Sequence, residues 1–236
     1  MATWLNLGEW LNRLRRIVVI LAGLMVLSPP VQGREGKEHF LLRDDGRIRG
    51  HAHAPVTLLE YSDFTCGFCT KFFRETWPRL WAEYVQIGKV RLVYRDFPRS
   101  LQGPSLDTAL AARCAGEQGR YWRMHDHLFT VSTPAYDLTS LRRYAEKLGL
   151  DVTQFTACMQ SDRYQGPIFR DRLEGGSLGI RGTPAFVLFL TQQGRNGPVL
   201  LIPGAFPYEV FQAQIDRLLQ LASAPPSPAS HEKGLP

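Results

Sequence analysis

Several features are scarce or missing in this chain, and each absence narrows its chemistry. Cysteine occurs only four times in 236 residues. No second C-x-x-C accompanies "CGFC" at Cys66–Cys69. A structural zinc site takes four Cys or His ligands, commonly as two paired motifs. Zinc or copper is therefore the main chemical alternative for this motif and not the first choice. The pairs His51/His53 and His125/His127 have a spacing of two, which does not put both rings on one helical face. All four are expected on solvated loop or helix surface, and neither metal nor cofactor is expected. The formal net charge is +6, but no basic cluster has interleaved aromatics, so nucleic acid is not an expected partner. No internal repeat is present.

Long hydrophobic runs are also scarce. "IVVILAGLMVL" (Ile17–Leu27) is an eleven-residue apolar stretch behind Arg13, Arg15 and Arg16. As a helix it would reach about 16 Å, against roughly 30 Å of bilayer hydrocarbon. "SPPVQG" follows, with Val31 and Gly33 at the −3 and −1 positions of a cleavage site. Residues 1–33 thus read as a secretory signal peptide, with an uncleaved anchor as the rival. The Arg15–Arg16 pair lacks the rest of a twin-arginine motif, so ordinary secretion is expected. Cleavage takes away three arginines and one glutamate, leaving about +4. All four cysteines lie beyond it, in a chain whose export permits disulfides.

What is present alternates between strand and helix signals. Residues 34–53 are a polar lead-in with room for one edge strand. "APVTLLEYS" (Ala54–Ser62) has the apolar, β-branched character of a buried strand. From Cys66 the period becomes helical, with Cys69, Phe72, Phe73, Thr76, Leu80, Trp81 and Tyr84 at three- and four-residue steps. Pro78 should kink this helix. "KVRLVYRDF" (Lys89–Phe97) is a second strand, so the region opens as a right-handed parallel βαβ unit. A helical middle follows. It has a start at Ser105, a stop at Gly149, an N-cap at Asp151, and an awkward Pro167 in its last helix. "TPAFVLFL" and "PVLLIPG" read as strands around a turn, and "PYEVFQAQIDRLLQLA" as a closing amphipathic helix. Residues 222–236, rich in Pro and Ser, should be disordered.

A C-x-x-C where a strand meets a helix has a specific chemical use. Cys66 falls at the helix start, where free N–H groups and the macrodipole carry about half a positive charge. That field favours thiolate, the attacking species. Cys69 lies one turn on, on the same face, close enough to resolve a mixed disulfide. A purely structural 66–69 bond would close too short a loop to constrain the unfolded chain much. Glu60, six residues before Cys66, could relay a proton to or from Cys69 from beneath the site. In "GIRGTPAF", Thr183–Pro184 is a candidate cis bond. A cis Pro184 would leave the Gly182–Thr183 backbone free to pair with an extended peptide.

These residues together resemble the DsbA-like thiol:disulfide oxidoreductases of the bacterial cell envelope, within the thioredoxin-fold superfamily. The likeness covers about residues 54–221 and rests on "LLEYSDFTCGFC", "VRLVYRDFPR", the helical middle and "GIRGTPAFVLF". It implies an α/β thioredoxin fold interrupted by a helical insertion at about 105–179. It implies Cys66 as nucleophile, Cys69 as resolving thiol, Glu60 as buried acid and Pro184 as the cis-proline beside the disulfide. The dipeptide departs from the Pro-His of many strong oxidants. Gly67-Phe68 adds no charge and leaves the helix terminus to do most of the work. The Cys66 pKa is therefore expected below about 8.5 and well above the roughly 3.5 of the most acidic such thiol in the family. Phe68 should be exposed, where it can touch apolar substrate segments.

Cys114 and Cys158 each sit on an apolar helical stripe of the insertion. A structural disulfide between two helices is expected, with two separately buried thiols as the alternative. The leading function is an envelope or periplasmic oxidase that donates its 66–69 disulfide to exported proteins with free thiols. A membrane redox partner would then reoxidise it. An isomerase or reductase held as the dithiol is the rival. A redox-inactive binding module or metal chaperone is the alternative from another class. Envelope isomerases of this superfamily carry an added dimerisation region. About twenty residues lie between the cleavage site and the first core strand, too few for one, so a monomer is expected.

Overall fold

The computed structural model describes residues 45–223. The expected signal peptide, most of the lead-in and the tail beyond Ser223 lie outside the described residues. Five strands form one sheet: β1 (Ile48–Arg49), β2 (Val56–Ser62), β3 (Val90–Asp96), β4 (Ala185–Leu190) and β5 (Val199–Ile202), in the order β1-β3-β2-β4-β5. Only β2 and β3 run parallel; the other neighbours are antiparallel. The lead-in supplies the short edge strand β1. Every residue of β2, β3 and β4 is buried. That is why these segments read as continuous apolar or β-branched runs: both faces of the sheet are covered.

The segment between β2 and β3 is helical from Gly67 to Val85. It comprises α1 (Gly67–Lys71), a π-helical segment (Phe72–Thr76), α2 (Trp77–Leu80) and a second π-helical segment (Trp81–Val85). Pro78 does not end it. The proline sits in the first turn of α2, where its missing N–H is tolerated, and wider i→i+5 turns on both sides absorb its ring. Phe72, Leu80 and Val85 of this stretch pack with Leu58, Leu92, Phe186 and Leu188 of the sheet. The closing helix adds Phe211 and Ile215 to that cluster. Each such side chain, fully buried, contributes about 1.5–3 kcal/mol.

Between β3 and β4 the chain forms α3 (Pro104–Glu117), α4 (Tyr121–Thr130), α5 (Leu138–Lys147), α6 (Val152–Met159) and α7 (Gln165–Ser177). Asp151 caps α6 by accepting from the N–H groups of Thr153 and Gln154. Gly149 takes φ 72° just past α5. Pro167 is harmless because it lies in the first turn of α7, where backbone N–H groups need no helical partner. Ser105 lies inside α3, not at its cap; its hydroxyl is used elsewhere, as shown below. The Cys114 and Cys158 sulfurs are bonded, joining α3 to α6 with a Cα–Cα distance of 5.7 Å. Helix α8 (Tyr208–Ser223) closes the fold and runs two residues into the segment expected to be disordered.

The insertion is tied to the sheet by charge as well as by packing. Asp171 of α7 accepts from Arg47 at 2.5 Å, from Arg113 at 2.7 Å and from the backbone N–H of Asp96 at 3.1 Å. Arg113 also donates to Asp96 at 2.6 Å. Arg47, Asp96, Arg113 and Asp171 are all buried. Gly175 permits a close approach nearby: a Cβ there would lie 2.9 Å from the rings of Phe97 and Tyr61.

Candidate active site

The site is built where β2 ends. Asp63 follows the strand and organises the turn into α1. Its carboxylate accepts from the Thr65 N–H and hydroxyl at 2.8 Å, from the Arg99 N–H at 2.9 Å and from the Ser105 hydroxyl at 2.5 Å. Its carbonyl accepts from the Cys66 N–H at 3.0 Å. This Asx-type turn is what delivers Cys66 to the N-cap of α1 in an extended conformation, φ −87° and ψ 121°. The Cys66 carbonyl then accepts the first helical bond, from the Thr70 N–H at 3.0 Å.

The two sulfurs sit in different surroundings. Cys66 is 7% exposed at the rim, whereas Cys69 is 0% exposed. The Cys66 thiol is pulled down to about 5, chiefly because the Cys69 thiol donates to its anion. Burial opposes this; the Thr183 side chain and the N–H groups of Cys69 and Phe68 assist. The value falls in the interval expected from the sequence, but the leading cause differs. The partner thiol contributes more than the helix terminus. Burial, with the neighbouring Cys66 second, pushes the Cys69 thiol well above its ordinary value.

Glu60 lies on the β2 face turned toward the helical segment that bears the pair. Alternation along β2 puts Val56, Leu58, Glu60 and Ser62 on one face, where Val56 and Leu58 meet Phe72 of the helical segment bearing the cysteines. Glu60 is buried, and burial raises its carboxyl to about 7, against the opposing effects of Ser62 and Arg49. On the other side of the pair, Thr183–Pro184 is a cis peptide bond. The Cys66 thiol donates to the Thr183 carbonyl oxygen at 3.4 Å. Phe68 is 68% exposed. It forms one wall of a cleft of about 650 Å³ with Thr183, Pro184, Leu201, Phe206 and Pro207.

Cys66, Cys69, Phe68, Thr183 and Pro184 thus lie together at the start of the helical segment, with Glu60 on the strand face turned toward that segment, while Cys114 and Cys158 lie within the insertion. The histidine expectation needs correction. His51 and His53 are exposed, but His125 is buried among Phe64, Phe73, Tyr94, Trp122 and Phe129. Burial lowers its pKa to about 4, so it is a neutral ring in an aromatic core. Tyr121, Met124, Leu128 and Phe129 form the buried face of α4 with it, and that three-and-four spacing was a readable signal. His127 is half-buried against Tyr144. Asp63 and Ser62 are not part of the two-cysteine pattern; an Asp three residues before an N-cap is the local clue to the turn.

A mixed sheet, a two-cysteine helix start and a cis-proline facing it define a thioredoxin-like redox fold. The chain belongs to the thioredoxin family: a family model described as Thioredoxin matches residues 43–192. Among solved structures, Wolbachia pipientis alpha-DsbA1 is similar at 26% identity and a TM-score of 0.68, over 78% of this chain and 96% of that one. A Rickettsia prowazekii protein provisionally named a protein-disulfide oxidoreductase is 25% identical over 65% of this chain and 57% of its own. The Na(+)/H(+) antiporter NhaA 3 of Salinispora tropica is 32% identical over 84% of this chain, which spans only 29% of that protein. Among the described residues, no helix is long and apolar enough to cross a membrane.

Proposed function

We propose that this chain is a thiol:disulfide oxidoreductase of the extracytoplasmic envelope that donates a Cys66–Cys69 disulfide to exported proteins. The observation that carries the reading is the asymmetry of the pair: one sulfur at the rim and favoured as an anion, its partner sealed beneath it. A substrate thiolate attacks the Cys66 sulfur, the S–S bond breaks, and Cys69 leaves. A second substrate thiolate then attacks the mixed disulfide and expels Cys66 as a stable thiolate. Glu60, the acid closest in sequence to the buried thiol on that strand face, supplies the proton that Cys69 takes up. Thr183 and Pro184 flank the attacked sulfur, and Phe68 offers apolar surface to the substrate. The chain acts as a monomer, needs no cofactor, and depends on a membrane redox partner to restore its disulfide.

Equilibration of the 66–69 pair with glutathione tests this. A value near about −120 mV supports donation. A value near about −270 mV would replace donation by a reductase role. Cys66→Ser should abolish both insulin reduction and oxidation of reduced substrate; activity retained in either assay rejects Cys66 as the nucleophile.

A further inference from the structure

Ser62 is the last residue of β2 and one of two polar side chains on the strand face beneath the cysteines; Glu60 is the other. Ser62 is 1% exposed, and its Oγ has no hydrogen-bond partner among the described residues. A buried hydroxyl left unpaired forfeits its bonds to water, so its presence calls for an explanation. The Asp63 N–H, next along the chain, faces the Cys69 sulfur. The Ser62 hydroxyl lies within electrostatic reach of both the Glu60 carboxyl and the Cys69 sulfur. It favours the anion of each, although it makes no hydrogen bond of regular geometry to either. One buried hydroxyl thus neighbours both a buried acid and a buried thiol.

We propose that the Ser62 hydroxyl carries the proton between Glu60 and Cys69. When a substrate thiolate opens the disulfide, Cys69 leaves as a thiolate. Ser62 Oγ gives its proton to the Cys69 sulfur and takes the carboxyl proton of Glu60. The carboxylate recovers a proton from solvent before the next cycle. In the reverse direction the same two transfers run backwards, and Cys69 is deprotonated for attack on the mixed disulfide. No electrons pass through Ser62; the redox change is confined to sulfur. The groups that face this relay are Glu60 on β2, Arg49 on β1, Tyr94 on β3, and Cys66 and Cys69 at the start of the helical segment. The proposal rests on the redox reading above.

The test is single-turnover opening of the oxidised full chain by a reduced peptide, followed from pH 5 to 9 and corrected for the peptide's own thiolate fraction. Wild-type rates should fall as pH rises through 7, where Glu60 ionises. Ser62→Ala should lower the rate below pH 7 by about 100-fold, the lower end of what a positioned proton donor contributes, and flatten the profile. Its Cys66 titration should not move. Ser62→Thr, which keeps the hydroxyl, should stay within about threefold of wild type, and Glu60→Gln should cost nothing further in the Ser62→Ala background. Wild-type rates in Ser62→Ala, or additive losses in the double variant, overturn the relay. So does a loss in Tyr94→Phe without one in Ser62→Ala, since Tyr94 also holds an unpartnered hydroxyl and feels both Glu60 and Cys69. If Ser62→Ala does not fold, the wild-type proton inventory in mixed light and heavy water decides. A curved plot supports two linked transfers and a linear one overturns them. Wild type that forms no mixed disulfide through Cys66 would reject the redox reading itself, which none of the variant outcomes does.

Discussion

Cys66 Sγ and the carbonyl oxygen of Thr183 lie 3.4 Å apart although 117 residues separate them in sequence. Thr183 thus offers the sulfur two opposite influences. Its carbonyl accepts from the thiol, and its side chain favours the thiolate. Which one acts depends on whether the sulfur carries a proton.

Thr183→Val separates them, because it deletes the hydroxyl and keeps the carbonyl. Hydrogen bonds to charged groups contribute about 1.5–3 kcal/mol, so the thiolate population near its midpoint should fall about tenfold or more. The Cys66 pKa should rise above 5, and the disulfide should become less oxidising. Ultraviolet titration of thiolate absorbance in the reduced protein checks this. An unchanged midpoint would show that the Cys69 thiol and the backbone hold the anion without Thr183.

Glu60 predicts a pH dependence of stability. Its folded carboxyl titrates at about 7, against an ordinary 4.5. Between those values the folded chain holds a proton that the unfolded chain has released. Stability is therefore highest below pH 4.5 as far as this group is concerned, declines through the window, and is lowest above 7. The full difference is about 3 kcal/mol. Glu60→Gln should remove that decline, leaving the variant more stable than wild type above pH 7 and similar to it near 4.5. Urea unfolding of the oxidised protein, in which the active-site sulfurs do not titrate, measures the effect.

The strands were legible because β2, β3 and β4 are buried on both faces, so most of their positions are apolar or β-branched despite Glu60 and Ser62 on β2 and Arg91, Arg95 and Asp96 on β3. The two cysteines were legible because their spacing and their place after a strand are local features. What escaped was long-range. Nothing near Arg47 announces Asp171, which lies 124 residues away. The place of Asp63 depends on Ser105, 42 residues on. Around Pro78 the chain switches to i→i+5 turns on both sides, a change that the residue spacing does not announce. The burial of His125 is written in the apolar period of Tyr121, Met124, Leu128 and Phe129 around it and not in the spacing of the two histidines.

The bond between Cys114 and Cys158 closes a loop of 44 residues. On the chain-entropy account this restricts the unfolded ensemble by about 4 kcal/mol. Replacing both cysteines by alanine should lower the unfolding free energy by up to that amount. The Cys66 titration should stay in place, because neither sulfur is among the groups that shift it. Paired urea unfolding and thiolate titration separate a bracing role from one that tunes the active-site pair.

Asp171 gives the largest expected loss from a single substitution. Its carboxylate takes donors from Arg47 before the sheet, Arg113 on α3 and the Asp96 backbone on β3, all away from solvent. Asp171→Asn nearly preserves shape but removes one of the three anions, Asp45 and Asp96 being the others, that face these buried guanidinium groups. Breaking a buried pair by removing one partner costs about 3–5 kcal/mol, because the remaining charge cannot recover its hydration. An exposed ion pair such as Arg79–Glu209 behaves differently: water already screens it, and Glu209→Gln should leave stability nearly unchanged. Unfolding both variants side by side checks the contrast. A small effect for Asp171→Asn would mean that the insertion is held to the sheet by its apolar contacts alone, with the buried charges contributing little.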